Sequence, residues 1–186
     1  LRDVYKRQAS KRSGRVYLTP GLRNDLSWWA AVLGRAPDRE WPIPKRPSSE
    51  WPELTTDASL TGCGVTWEGT GYHGEWVHPS AASSGDMTYL EARAAEEGAK
   101  LAAEGGRDFT FTTDNQALAH SLLRRRAKSE RVNGVIRRIL LLLSSRRLAF
   151  QVRWIPTGEN RAADALSRGN GTPEGMPTRS LGRLPT

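Results

Sequence analysis

The chain has 186 residues, a formal net charge of +8 and a single cysteine, Cys63. That length holds one well-cored domain with extensions, and one cysteine excludes an internal disulfide framework. The longest apolar run, Trp28 to Leu33, has six residues, against the ~20 needed to span a membrane. With no signal-peptide pattern either, the expected setting is intracellular, cytoplasmic or nuclear.

Charge is unevenly placed. Residues 1–50 carry 11 basic and 5 acidic side chains, residues 51–117 carry 3 and 11, and residues 118–186 carry 14 and 4. An acidic centre between basic flanks suits a metal site set in a phosphate-gripping surface.

The chain begins at Leu1 rather than Met, and its opening Leu1–Gln8 segment resembles a translated sequencing-adapter artefact. Residues 1–15 are therefore expected to be artefactual or disordered, and the chain to be a fragment. Thr19-Pro20 opens a helix, with Thr as cap and Pro at the first helical position. Leu22, Leu26, Trp29 and Leu33 share one face of it, and Gly34 is a suitable stop. The helix and a proline-rich linker make up residues 16–52.

Strands follow. Leu54 to Ser59, a strand through Val65 and Trp67, and Tyr72 to Val77 form an antiparallel meander with turns at Thr61-Gly62 and Gly69–Gly71. Asp86 caps a long helix to about Glu104, in which Ala95, Gly98 and Ala102 form a row of small residues in line with Glu91. Glycine costs about 1 kcal/mol inside a helix, so Gly98 suggests close approach to a sheet. Phe109 to Asp114 is a fourth strand, and Asn115 caps a helix through about Arg124. Ser129 opens another, burying Val132, Ile136, Ile139 and Leu143. Leu148, Phe150, Val152 and Trp154 alternate with Ala149, Gln151 and Arg153 in the fifth strand. Pro156 stops it, and Asn160 caps a last helix. Residues 169–186, rich in Gly, Pro and Thr, are expected to be a disordered tail. The order over 53–168 is βββ-α-β-α-α-β-α, an α/β domain with a partly parallel sheet. Trp154 and Trp67 are expected in the sheet core, Trp28 and Trp29 in a helix packing site, and Trp76 buried.

Four acids stand where these elements could aim them at one point. Asp57 is in the first strand, Glu91 early in the long helix, Asp114 at the end of the fourth strand and Asp164 in the last helix. Four converging carboxylates repel one another unless cations neutralise them, and Mg²⁺ is the usual neutraliser near phosphates. This pattern points to metal-assisted phosphodiester hydrolysis.

The element order and the motifs "TTDASLTGCG", "YLEARA", "FTTDNQA" and "WIPTGENRAADALSR" resemble the ribonuclease H family. The carboxy-terminal motif looks most like the RNase H domain of retroelement reverse transcriptases of DIRS/gypsy type. The upstream "LTPGLRNDLSWWAAVL" is similar to the segment joining polymerase to RNase H in DIRS-type elements. The resemblance implies an RNase H-like fold, a five-stranded mixed sheet with helices on both faces. It also implies cleavage of the RNA strand of RNA–DNA hybrids, with a polymerase domain as partner. By the same likeness Asp57, Glu91, Asp114 and Asp164 are catalytic and hold two Mg²⁺ ions (Mn²⁺ being the alternative). Asp57 would touch both, Glu91 and Asp114 hold one, and Asp164 help hold the other. Ser59, Gly62, Cys63, Asn115 and Arg161 would contact the substrate, some through backbone amides, with Arg124–Arg126 and Lys128 near phosphates. One departure stands out. Many members carry a His before the last helix, whereas the loop here is Pro156-Thr157-Gly158-Glu159, and His73, His78 and His120 lie elsewhere. Alternatives left open are a catalytically weak nucleic-acid-binding module and another nuclease of the same fold.

Overall fold

A computed structural model describes residues 17–34, 48–77, 87–172 and 175–185. The expectations for residues 1–15, the body of the proline-rich linker, the Asp86 cap and His78 fall outside these. The chain divides into two compact units, Leu1–Glu40 and Trp41–Thr186.

Within the first unit, helix α1 spans Pro20–Gly34. It starts as its sequence dictates: the Leu22 amide donates to Thr19 Oγ1 at 3.2 Å, satisfying one of the open donors of a helix N-terminus. Trp28 and Trp29 meet edge to face, with ring centroids 4.9 Å apart.

The second unit holds strands β1 (Glu53–Ala58), β2 (Gly62–Trp67) and β3 (Thr70–Trp76), then helix α2 (Met87–Gly105) and strand β4 (Phe109–Thr113). Helices α3 (Gln116–Leu123) and α4 (Glu130–Ser145), strand β5 (Phe150–Trp154), helix α5 (Arg161–Ser167) and strand β6 (Thr178–Leu184) follow. The sheet order is β5-β4-β1-β2-β3-β6. β1, β2 and β3 form the antiparallel meander, while β1–β4, β4–β5 and β3–β6 pair in parallel. The parallel pairing of β1 with β4 brings the carboxy-terminal ends of both strands side by side, and there the acids gather.

One core lies between the sheet and helices α2, α3 and α4, built on Leu54, Val65, Phe109 and Phe111 against residues such as Ala99, Leu118 and Ile136. α2 comes close because Gly98 has no side chain: a Cβ there would stand 3.0 Å from Thr56 Cγ2 and 3.2 Å from Leu54 Cδ1. α5 covers the opposite face, where a Cβ on Gly64 would meet the Ala163 carbonyl oxygen at 2.1 Å. A salt-bridged group sits on α2: Glu96 takes Arg93 and Arg138, and Glu97 takes Lys100 at 2.8 Å.

Two expectations are corrected. The sheet has six strands, because Thr178–Leu184 pairs with β3 instead of trailing off disordered. Leu184 packs beside Cys63 and Trp76, its carbonyl accepts the Val77 amide at 2.8 Å, and Arg93 donates to the Pro185 carbonyl at 3.0 Å. The second correction concerns Trp154, which is 51% exposed rather than in the core. It follows Phe150 and Val152, which are themselves only partly buried, and exposure rises at Arg153 and Trp154 at the end of this edge strand. Trp67 and Trp76 are buried as expected.

Candidate active site

β1 and β4 each deliver an aspartate at or just past their ends, and the first turns of α2 deliver Glu91. Oxygen atoms of Asp57, Glu91 and Asp114 lie within 4.8 Å of one another. Asp57 and Glu91 are buried, and Glu91 Oε2 has no hydrogen-bond partner. Burial disfavours the charged form, and so do like charges nearby. Desolvation, then the fields of Asp57 and Asp114, push the Glu91 carboxyl up to about 9, against a weaker opposing pull from the Ala58 backbone. For Asp57, desolvation leads again and Asp114 and Asp164 add to it. A hydrogen bond from Ser167 opposes them, and the carboxyl stands at about 6.

Two further side chains fix this cluster. Ser167 Oγ lies 2.6 Å from Asp57 Oδ2 and 2.9 Å from the Asp164 carbonyl oxygen. A hydroxyl has one hydrogen, so it serves these acceptors in turn, or donates to the carbonyl while accepting from a protonated Asp57. Asn160, 1% exposed, donates through Nδ2 to Asp114 Oδ1 at 3.0 Å and to the Thr56 carbonyl at 3.2 Å. Its position before α5 reads as a helix cap, yet its side chain makes no cap bond and turns to the site instead. Sequence reasoning missed both roles. The one available signal for Ser167 was its spacing of three from Asp164, which puts the two on one face of a helix.

Asp164 stands apart from the cluster. Its field reaches Asp57, but Arg168 Nε and an Arg168 terminal nitrogen both donate to Asp164 Oδ1, at 3.0 and 2.8 Å. The structure thus brings three of the four acids together, with the fourth tied to an arginine one helical turn away.

The residues expected to meet substrate are placed unevenly. The Cys63 side chain is fully buried, its thiol pushed up to about 12 chiefly by desolvation, so no side-chain contact to substrate is open to it. Gly62 is buried too: a Cβ there would meet the Gly74 carbonyl oxygen at 2.3 Å, which makes it a packing glycine. Ser59 Oγ organises the β1–β2 turn, accepting from the Gly62 amide at 3.0 Å and donating to the Ser167 carbonyl at 2.6 Å. Asn115 is the expected cap of α3, its Oδ1 taking the Leu118 amide at 2.9 Å. Arg161 is exposed and bonds the Gly158 carbonyl at 3.0 Å. Arg124–Arg126 and Lys128 are exposed between α3 and α4. The loop before α5 forms a short 3₁₀ turn, Thr157–Glu159, with Glu159 exposed.

An all-oxygen set of crowded carboxylates, one oxygen of it buried without a partner, suits a hard divalent cation better than any soft metal. Among solved structures, the chain is similar to that of RNase H1 from the halophilic archaeon Halobacterium salinarum. The TM-score is 0.51 at 18% identity, covering 64% of this chain and 96% of that one. The fold is ribonuclease H-like. The N-terminal RNase H domain of Rv2228c from Mycobacterium tuberculosis, solved fused to maltose-binding protein, also matches, at TM-score 0.47 and 15% identity over 66% of this chain and 97% of that one. No protein-family model matches the chain, and no curated protein does. Among the described residues no helix is long and apolar enough to cross a membrane.

Proposed function

We propose that the chain is a divalent-metal-dependent endonuclease that cuts the RNA strand of RNA–DNA hybrids, leaving a 5′-phosphate and a 3′-hydroxyl. The observation that carries this reading is the convergence of Asp57, Glu91 and Asp114 within 4.8 Å at the ends of parallel strands. Asp57, Glu91 and Asp114 would hold magnesium, and Asp164, once released from Arg168, would help hold a second ion. Bound there, such ions supply an activated water and stabilisation of the leaving oxygen. The protein's own part is to keep the carboxylates fixed, Asp57 by Ser167 and Asp114 by Asn160, while basic side chains hold phosphates. Selection of RNA requires contact with 2′-hydroxyls across a wide, shallow groove. Arg161 and the Arg124–Lys128 loop are exposed and free to approach that backbone.

The sequence likeness of "ENRAADALSR" supports a place in a retroelement reverse transcriptase, beside a polymerase domain. A second reading, a weakly catalytic module that binds hybrid, draws support from the hold of Arg168 on Asp164. A magnesium-dependent cleavage assay on a labelled RNA–DNA hybrid separates the two. The native chain should cut the RNA strand, and Asp57→Asn should lower the rate by at least about a thousandfold with the circular dichroism spectrum unchanged. Equal cutting by Asp57→Asn would refute the proposed site.

A further inference from the structure

Trp154 is half exposed, yet its indole is not loose. Nε1 donates to the Asp114 carbonyl oxygen at 2.9 Å. The backbone beneath it is fixed as well, since Trp154 pairs with Thr113 across the parallel β4–β5 ladder and the Ile155 amide donates to the Thr113 carbonyl at 3.1 Å. The residue that the indole grips is the same one whose carboxylate belongs to the acidic cluster and is held on its other side by Asn160. A large apolar ring is thus pinned by its polar edge beside the site, with about half of its surface open to solvent. Exposing an indole forfeits burial that the fold gives to Trp67 and Trp76. Pinning it removes the rotamer freedom that a ligand would otherwise have to freeze out.

We infer that Trp154 is a substrate contact, packing against the sugar of a nucleotide next to the phosphate placed at Asp57, Glu91 and Asp114. The inference rests on the nuclease reading above and adds a contact to it. A sugar fits better than a base, because the bases of a hybrid duplex are stacked inside while its sugars line the groove walls. The carboxy-terminal third, with 14 basic and 4 acidic side chains over residues 118–186, favours association with a polyanion.

Binding is measured by fluorescence anisotropy with a short fluorescein-labelled RNA–DNA hybrid, on the full chain carrying Asp57→Asn to prevent cutting. Adding Trp154→Ala should weaken binding about fivefold to tenfold, the scale set by loss of one apolar contact of about 1 kcal/mol. Adding Trp154→Phe, which loses the N–H bond to Asp114 but keeps a ring, should stay within about twofold of the parent. Circular dichroism and thermal unfolding of both check that the fold persists. Should Trp154→Ala bind as well as the parent, the contact is refuted while the nuclease reading stands on its cleavage assay. Equal loss in the Phe and Ala variants would assign Trp154 to holding Asp114 and likewise overturn the contact. If the Asp57→Asn chain fails to bind hybrid and the native chain fails to cut it, the nuclease reading itself falls and takes this inference with it.

Discussion

Glu91→Gln should make the metal-free protein more stable, an unusual outcome for a change in a buried polar site. The Glu91 carboxyl is 5% exposed, has an unpartnered oxygen and is pushed up to about 9 from an ordinary value of 4.5. Near neutral pH the unfolded chain has released this proton and the folded chain retains it, so folding must take a proton up. At 1.36 kcal/mol for each pH unit above 4.5, that uptake costs about 3 kcal/mol at neutral pH. Glutamine has the same shape and stays neutral, and its amide can donate toward the neighbouring carboxylates. Allowing for imperfect amide pairing, a gain of about 2 kcal/mol is expected, or roughly 4–8 °C in Tm for a protein of this size. The sign follows from the raised folded value: stability from Glu91 is intact below pH 4.5 and falls as pH rises toward about 9. The advantage of glutamine should accordingly vanish in acid and grow on the way to alkaline pH. Thermal melts in EDTA across that range test this. Repeating them with excess Mg²⁺ should raise the native Tm and leave that of Glu91→Gln nearly unmoved. A Glu91→Gln protein that melts at or below the native temperature in EDTA at neutral pH would refute the reasoning.

Two further variants probe the frame around the site. Gly64→Ala forces a Cβ to within 2.1 Å of the Ala163 carbonyl, which displaces α5 and its Ser167–Asp57 bond; a loss of about 3 kcal/mol in urea unfolding and of the Mg²⁺ effect on Tm is expected. Truncation before Thr178 removes β6, uncovers Trp76 and takes away the Arg93–Pro185 bond. It should cost about 3 kcal/mol and leave α2, with Glu91, less protected from hydrogen exchange.

Where sequence pattern and tertiary packing agree, the fold could be read directly. β1 and β4 are short threonine-rich strands with Leu54, Phe109 and Phe111 turned to the core, each carries an aspartate at or just past its end, and parallel pairing of neighbouring strands makes those two ends meet. Gly98 announced a close helix–sheet contact, and the Leu54 and Thr56 side chains supply it. β6 was hidden because Thr178–Leu184 carries little apolar periodicity; its pairing with β3 and the lodging of Leu184 over Gly74 hold it. Alternation put Trp154 in register with Phe150 and Val152, but no pattern in the sequence says that β5 lies at the sheet edge with its last two residues exposed. Asn160 and Ser167 escaped for another reason. Asn before a helix and Ser within one have ordinary local uses, so only the proximity of Asp114 and Asp57 reveals theirs.

Crystals soaked in Mn²⁺, with anomalous data collected at an energy where manganese scatters strongly, test the central claim most directly. A peak within coordination distance of Asp57, Glu91 and Asp114 is expected, absent from Asp57→Asn crystals treated alike. Native crystals with no peak among these carboxylates, while manganese binds elsewhere on the surface, would contradict the account.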